Sequence, residues 1–348
     1  MTGQNYDLAF DKGRVNLAVV YKDIAPDPDF CLGMSVGALQ IVKVLRGQGV
    51  EAHLWGIKTQ DDLGRNVESS KPSHVAVLAP WVESDYFRKL ASENPNVNFL
   101  CSSHSNPGFL QVDTRGTELL RSYIRLQHVT WNFGVSGNSA RFAKWLTRVY
   151  GAECTHLPNL YELHGGVPSR TSWNGGPLRI GTFGAIRQLK NFMTAAAAAL
   201  ELAASLRCHL EFWMSQDTTA GSANIQNSIT EMFKDLPSAK VMRLGWLSWP
   251  RFVQFIGTMH LVLHPSYTET FSVVTADAIS KGVPVVASDA VEWLPDHWKA
   301  SSDDPSAIAR VGRHLLQDPH TASEGWEALS KNNEMGVAAW KKWLSGRP

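Results

Sequence analysis

The chain predicts an α/β protein made of two Rossmann-like parallel-sheet domains that face one another across a cleft. Short apolar runs alternate with helical stretches along its whole length, and strand–helix alternation is the mark of a parallel sheet. The alternation stops once, at HLPN (156–159) and the turn-rich segment 165–177, and then restarts. At 348 residues the chain also exceeds the usual size of a single core. The expected parts are an N-terminal domain over 1–158, a C-terminal domain over 159–325, and a terminal helix over 326–348 packing back on the first domain.

In order, VNLAVVY (15–21) is a strand, IAPDPDFCLG (24–33) is turn-rich, and a helix over 34–48 is closed by Gly49. Strands follow at 50–55 and 74–79, then a helix at 83–93 and a strand at 97–102. Helices at 114–126 and 138–150 flank the strand-like HVTWNFGV (128–135). Beyond the break the expected order is strand 178–183, helix 191–206, strand 209–214, helix 225–233, strand 240–244 and helix 249–256. A strand over 261–263 then enters a loop, a helix runs from Phe271 to Lys281, and a strand occupies 283–287. Helices at 305–317 and 324–344 end the chain, the last carrying Trp326, Trp340 and Trp343.

Composition bounds the function classes. Hydrophobic residues make up 44% and charged residues 19%, as in an ordinary globular protein. A net charge of +1 supplies no global drive toward nucleic acid or anionic membrane, which leaves only a local patch for such a partner. Thirteen Trp is a high count that serves either core packing or sugar-stacking surfaces. Cys31, Cys101, Cys154 and Cys208 form no CxxC pair, so reduced thiols in a cytoplasmic setting are expected, with neither zinc site nor disulfide framework. The opening MTGQNYDLAFDKGR lacks a signal-peptide pattern, and no apolar run reaches the roughly 20 residues needed to span a bilayer. The expectation is a soluble protein.

Several stretches carry chemistry. HPSYTETFSVVTADAISKGVPVVAS (264–288) reads as strand, loop, helix and strand, with Glu269 in the loop and Asp277 eight residues later. A helix start at the carboxyl edge of a sheet favours an anion, although the same pattern also describes a plain crossover with a capping carboxylate. GMSVG (33–37) joins the first strand to the first long helix; Gly33 and Gly37 either admit a phosphate or sugar to the backbone or simply let a helix begin. In IGTFGAIRQLKN (180–191) a strand ends in a glycine loop containing Gly184, and Arg187 and Lys190 follow as a helix begins. An Arg fork and a Lys point charge three residues apart suit a diphosphate, or else a solvated basic turn. His104 stands just past a strand in CSSHSNPGF, where a histidine can meet a hydroxyl or serve structure alone.

Taken together, these stretches resemble the nucleotide-sugar glycosyltransferases of the GT-B architecture, in the retaining family 4 group (glycosyl transferases group 1). The glycine loop, the SSHS histidine, the LPN linker (157–159), IGTFGAIRQLKN, LGWLS (244–248) and the 264–288 stretch occur in the family's order over nearly the whole chain. The last matches a signature with two acids eight apart, with Asp277 in place of the usual second Glu and Thr270 where Gly is common. The resemblance implies that Arg187 and Lys190 hold the donor diphosphate and that Glu269 faces the donor sugar. It places Thr270, Phe271 and Ser272 on sugar hydroxyls and phosphate through their backbone groups, Asp277 on the ribose, and His104 near the reacting carbon. Gly33 and Gly184 would lie along the donor, and Asn159 would mark the interdomain hinge. The resemblance further implies a retaining transfer without metal or cofactor, the nucleoside-diphosphate sugar being a substrate, in the cytoplasm of a bacterium or phage-infected host.

The acceptor stays open. A saccharide or envelope glycan is the first reading. A hydroxymethylated DNA base is another, because Arg141, Lys144 and Arg148 share a helix face beside Trp145 and Tyr150; the same face also suits a peripheral membrane contact or plain solvation. A protein that binds nucleotide sugar without turnover is the third.

Overall fold

The computed structural model describes residues 15–24, 33–216 and 221–346. The expectations placed on the N-terminal segment, on most of 24–33 and on Cys31 lie outside the described residues. The first sheet contains β1 (Asn16–Lys22), β2 (Glu51–Ile57), β3 (His74–Leu78), β4 (Asn98–Ser103), β5 (Phe133–Gly137) and β6 (Cys154–His156). Its helices are α1 (Gly33–Gly47), α2 (Gln60–Ser70), α3 (Ser84–Glu93), α4 (Pro107–Leu110), α5 (Thr114–Val129) and α6 (Ala140–Tyr150). The second sheet contains β7 (Leu178–Thr182), β8 (Leu210–Ser215), β9 (Ala239–Leu244), β10 (Leu261–His264) and β11 (Val285–Ala287). With it go α7 (Phe192–Leu206), α8 (Ser222–Met232), α9 (Trp249–Ile256), α10 (Val273–Ile279), α11 (Pro305–Gln317) and α12 (Thr321–Ser345).

Every strand pairing is parallel. The strand orders are β2-β1-β3-β4-β5-β6 and β11-β10-β7-β8-β9, so the chain reverses its direction of travel beside β1 and beside β7. Outside the carboxyl ends of strands flanking such a reversal lies the crevice in which open α/β sheets bind ligands. Helices cover both faces of the first sheet. Ala18, Val20, Val75, Val77 and Phe99 pack toward α2, α3, α5 and α6, while Leu17, Val19, Ala76, Leu78 and Leu100 pack toward α1 and α12. Burial on both faces is why these strands read as unbroken apolar runs.

Several elements depart from expectation. α2 carries a capping box in which Thr59 and Asp62 satisfy one another's backbone, a local signal that its polar composition conceals. β6 is three residues long, and α4 is a single turn opened by Pro107. The helix expected from Phe271 starts at Val273 instead, because Ser272 adopts φ 64° and caps it by accepting from the Thr275 N–H.

α12 joins the two halves. At 25 residues it is about 37 Å long. Leu329 lies in the second domain's core, whereas Trp340 and Leu344 lie in the core on one face of the first sheet. The helix runs tightly over the linker: a Cβ on Gly336 would stand 2.5 Å from the Leu160 side chain. Asn332 donates to the Asn159 carbonyl at 3.0 Å and Trp340 Nε1 to the Pro158 carbonyl at 3.0 Å. Trp340 is fully buried, so Trp340→Ala should cost about 3–5 kcal/mol in urea unfolding, and a loss below about 1 kcal/mol would show that the helix end does not anchor the first domain.

Candidate active site between the two sheets

Loops at the carboxyl ends of β4, β5, β7 and β10 meet between the domains. β10 is buried throughout and delivers His264 at its last position. The loop after β7 is pinned to the loop after β10 by the Tyr267 N–H donating to the Leu189 carbonyl at 2.9 Å. Asn191, in the left-handed region at φ 56°, adds a 3.2 Å bond from its carboxamide to the Pro265 carbonyl. That pairing sets Lys190 against Glu269, and the two form a close ion pair. His264 Nε2 donates to the same Glu269 oxygen at 2.6 Å.

The Glu269 side chain is only 9% exposed. Burial by itself would raise its pKa; the Lys190 charge and the His264 hydrogen bond overcome that and hold the carboxyl well below the usual carboxylate range. Glu269 is therefore a fixed anion with a fixed cation beside it. Arg187, three residues before Lys190, is exposed at the mouth of the same loop. Gly184 stands between β7 and Arg187 at φ 106°, a conformation that suits glycine.

The first domain contributes from β4 and β5. Asn106 donates to the backbone carbonyl of Glu269. Asn138 donates to Thr270 Oγ1 at 2.9 Å, to Asn159 Oδ1 at 3.1 Å and to His104 Nδ1 at 3.2 Å. Burial pushes His104 down to about 4, so the ring is neutral at pH 7, and with Nδ1 accepting from Asn138 its proton sits on Nε2. Asn159 in turn lies under α1, where a Cβ on Gly37 would be 3.1 Å from its amide nitrogen. Gly33 is exposed at the first position of α1. Across the gap, a Cβ on Gly108 would stand 3.1 Å from Thr268.

The structure thus gathers Glu269, Lys190, His104, Thr270 and Asn159 into one contact network. Ser272 caps α10 in the left-handed region, and Phe271 stacks on Trp293, whose indole N–H takes the Phe271 carbonyl at 2.7 Å. Phe271 is left with its N–H to offer.

Asp277 is engaged elsewhere. Buried in α10, it accepts from Tyr161 Oη at 2.7 Å and from Trp249 Nε1 at 3.0 Å on the same oxygen. On α6, Trp145 leans on the first domain's core and meets Tyr150 edge-on, while Arg141, Lys144 and Arg148 stay exposed, Arg141 pairing with Asp289 at 3.4 Å. Sequence reasoning missed His264, Asn106 and Asn138. His264 was visible as the residue ending an apolar run, and the two asparagines as polar residues just past strands.

Residues 177–318 match the family described as Glycosyl transferases group 1. The second domain is of that family. No curated protein matches the chain in sequence. Among solved structures, the UDP-forming trehalose-phosphate synthase of Burkholderia xenovorans superposes with a TM-score of 0.64 at 11% identity, covering 95% of this chain and 98% of its own. HepE of Anabaena, solved with UDP and glucose, gives 0.61 at 12% identity over 95% and 98%. A TarM variant of S. aureus, solved with Fondaparinux, alpha-GlcNAc-glycerol and UDP, gives 0.60 at 14% identity over 81% of this chain. The chain spans 58% of TarM, under two thirds of its length. These likenesses establish the GT-B fold. Among the described residues no group of three or more His, Cys, Asp and Glu is placed to hold a metal, and no helix is long and apolar enough to cross a membrane.

Burial pushes Asp277 up to about 7 against the lowering effect of Tyr161 and Trp249. A carboxyl that holds its proton more tightly when folded contributes stability fully below its unfolded value of 3.8, and loses it as pH rises through about 7. Asp277→Asn cannot ionise. Urea unfolding from pH 4 to 8 should shift the stability difference toward the variant by up to about 1.4 kcal/mol per pH unit. A difference independent of pH would contradict the burial argument.

Proposed function

We propose that the protein is a glycosyltransferase that moves a hexose from a nucleoside-diphosphate sugar to a saccharide hydroxyl with retention of configuration. The observation that carries this reading is the juxtaposition of Arg187, Lys190 and buried Glu269 on one domain with neutral His104 on the other. Breaking a sugar–phosphate bond builds negative charge on the diphosphate and positive charge on the sugar, so fixed groups of the matching sign lower the barrier most.

Arg187 offers a fork to the diphosphate, and Lys190, with three N–H donors, bridges an incoming phosphate and Glu269. Glu269 faces the donor sugar as a permanent anion, and the Nε2–H of His104 donates to a sugar hydroxyl near the reacting carbon. Backbone N–H groups at Thr270, Phe271 and Ser272 complete the donor contacts, with Gly184 and Gly33 leaving the donor room.

Same-face attack assisted by the departing phosphate retains configuration without a nucleophile–acid carboxylate pair. Arg187 and Lys190 supply the leaving-group stabilisation that a metal would otherwise give. Closure of the cleft limits loss of donor to water. The donor class is supported by the UDP and glucose bound in HepE and by the UDP-forming trehalose-phosphate synthase, and the saccharide acceptor by the disaccharide phosphate that this synthase is named for. We place the reaction in the cytoplasm, where nucleotide sugars are made.

The test incubates the protein with UDP-, GDP-, ADP- and dTDP-hexoses and a panel of saccharides, following nucleoside diphosphate release and product anomers by proton NMR. Release from one donor with an α-linked product is expected. A β-linked product would overturn retention, and measurable UDP binding with no turnover of any pair would overturn the enzyme reading.

A further inference from the structure

Two asparagines, one after each of the neighbouring strands β4 and β5, reach across the cleft to the same loop. Asn106 holds the Glu269 carbonyl, and Asn138 holds the Thr270 hydroxyl at 2.9 Å. Each uses its amide nitrogen, and each leaves its carboxamide oxygen buried without a hydrogen-bond partner. Asn138 is 4% exposed, so its unpaired oxygen is enclosed rather than solvated. Buried carbonyl oxygens left without donors are uncommon in folded proteins, and two on equivalent residues beside a cleft mark a place where a ligand completes the structure.

The amide of Asn138 has two hydrogens and faces three acceptors: Asn159 Oδ1, His104 Nδ1 and Thr270 Oγ1. The first two belong to the hinge and the first domain, and they match its two hydrogens without help from the other side. Thr270 is the one that arrives with the second domain. A cleft open at this point therefore satisfies both N–H groups of Asn138, and closing it puts Thr270 in competition for a shared N–H. The bond to the second domain is one that a ligand must reinforce.

Resting on the donor-sugar reading of this site, we propose that Asn106 and Asn138 are positioning residues that clasp the Glu269–Thr270 loop when the cleft closes, their carboxamide oxygens accepting hydroxyl groups of the donor sugar. Sugar binding and closure are then one event. UDP alone, held by Arg187 and Lys190 on the second domain, engages neither asparagine, whereas a UDP-sugar engages both. The same amide keeps the His104 proton on Nε2, so the clasp also presents the histidine to the sugar in its donating form.

The experiment uses the full chain with UDP and UDP-glucose as probes, titration calorimetry for affinity and small-angle X-ray scattering for closure. Thr270→Val removes only the hydroxyl that Asn138 holds, Thr270→Ser restores it, and the double variant Asn106→Ala with Asn138→Ala removes the clasp. In wild type, UDP-glucose should bind more tightly than UDP and shrink the radius of gyration, and UDP should not shrink it. Thr270→Val and the double variant should bind UDP within about twofold of wild type but lose about tenfold of the extra affinity for UDP-glucose, with the scattering radius staying at its unliganded value; Thr270→Ser should recover both. Turnover should fall in parallel. Wild-type contraction and affinity in both Thr270→Val and the double variant would overturn the clasp. If UDP binds but wild type neither turns over nor prefers any UDP-sugar, the reading of the site as a donor-sugar site has failed. If wild type prefers UDP-glucose and the variants do too, the clasp alone has failed.

Discussion

The site is organised by the burial of a charge. A carboxylate removed from water is tolerated only when a cation and hydrogen-bond donors replace the lost solvent. Glu269 obtains Lys190 from the loop after β7 and His264 from the end of β10. Those partners stand on adjacent strands on either side of the sheet's reversal, where parallel topology delivers loops from two directions to one place. The strand register, the bond between Tyr267 and Leu189, and the left-handed turn at Asn191 all serve to bring that cation to that anion. Strain at Ser272 sits in the same loop, consistent with a segment held by its surroundings rather than by its own preference.

A second constraint ties the domains. The linker is not a free hinge: α12 lies across it, Asn333 and Tyr161 exchange backbone–side-chain bonds of 2.6 and 2.9 Å, and Glu162 is held by Gln40 and Lys43 of α1. Tyr161 then reaches Asp277, so the chain just beyond the break is bonded to the helix that follows the Glu269–Ser272 loop. The Asp277 carboxyl lies within reach of Tyr161 and Trp249, and those two donors offset part of the cost of burying it. Movement between the domains must pass through these contacts, which favours a small set of discrete arrangements over a continuum.

Much of this was legible in the sequence because it is periodic or local. Strands such as HVAVL, and helices bounded by Gly49 or by the HLPN break, announce themselves within a dozen residues. α2 could have been found from the spacing of Thr59 and Asp62. What escaped is long-range. Asn106 and Asn138 gain their importance from residues 163 and 132 positions away, and nothing in their neighbourhood distinguishes them from turn asparagines. The burial of Asp277 depends on Tyr161, 116 positions distant. Amphipathic spacing on α6 does not say which aromatic meets the core: Trp145 packs inward, while Tyr150 and the basic residues stay exposed. The start of α10 was misplaced for a backbone reason, since a serine at φ 64° leaves no trace in propensity.

The central claim is that the cleft holds a diphosphate through Arg187 and Lys190 rather than merely a nucleoside or an ion. Comparing the affinities of UDP and uridine for wild type and Arg187→Ala tests it directly. Arg187 is exposed and touches the fold little, so its loss should weaken UDP about tenfold or more and leave uridine unchanged. Equal affinity of both proteins for UDP would contradict the account, and so would an equal loss for UDP and uridine.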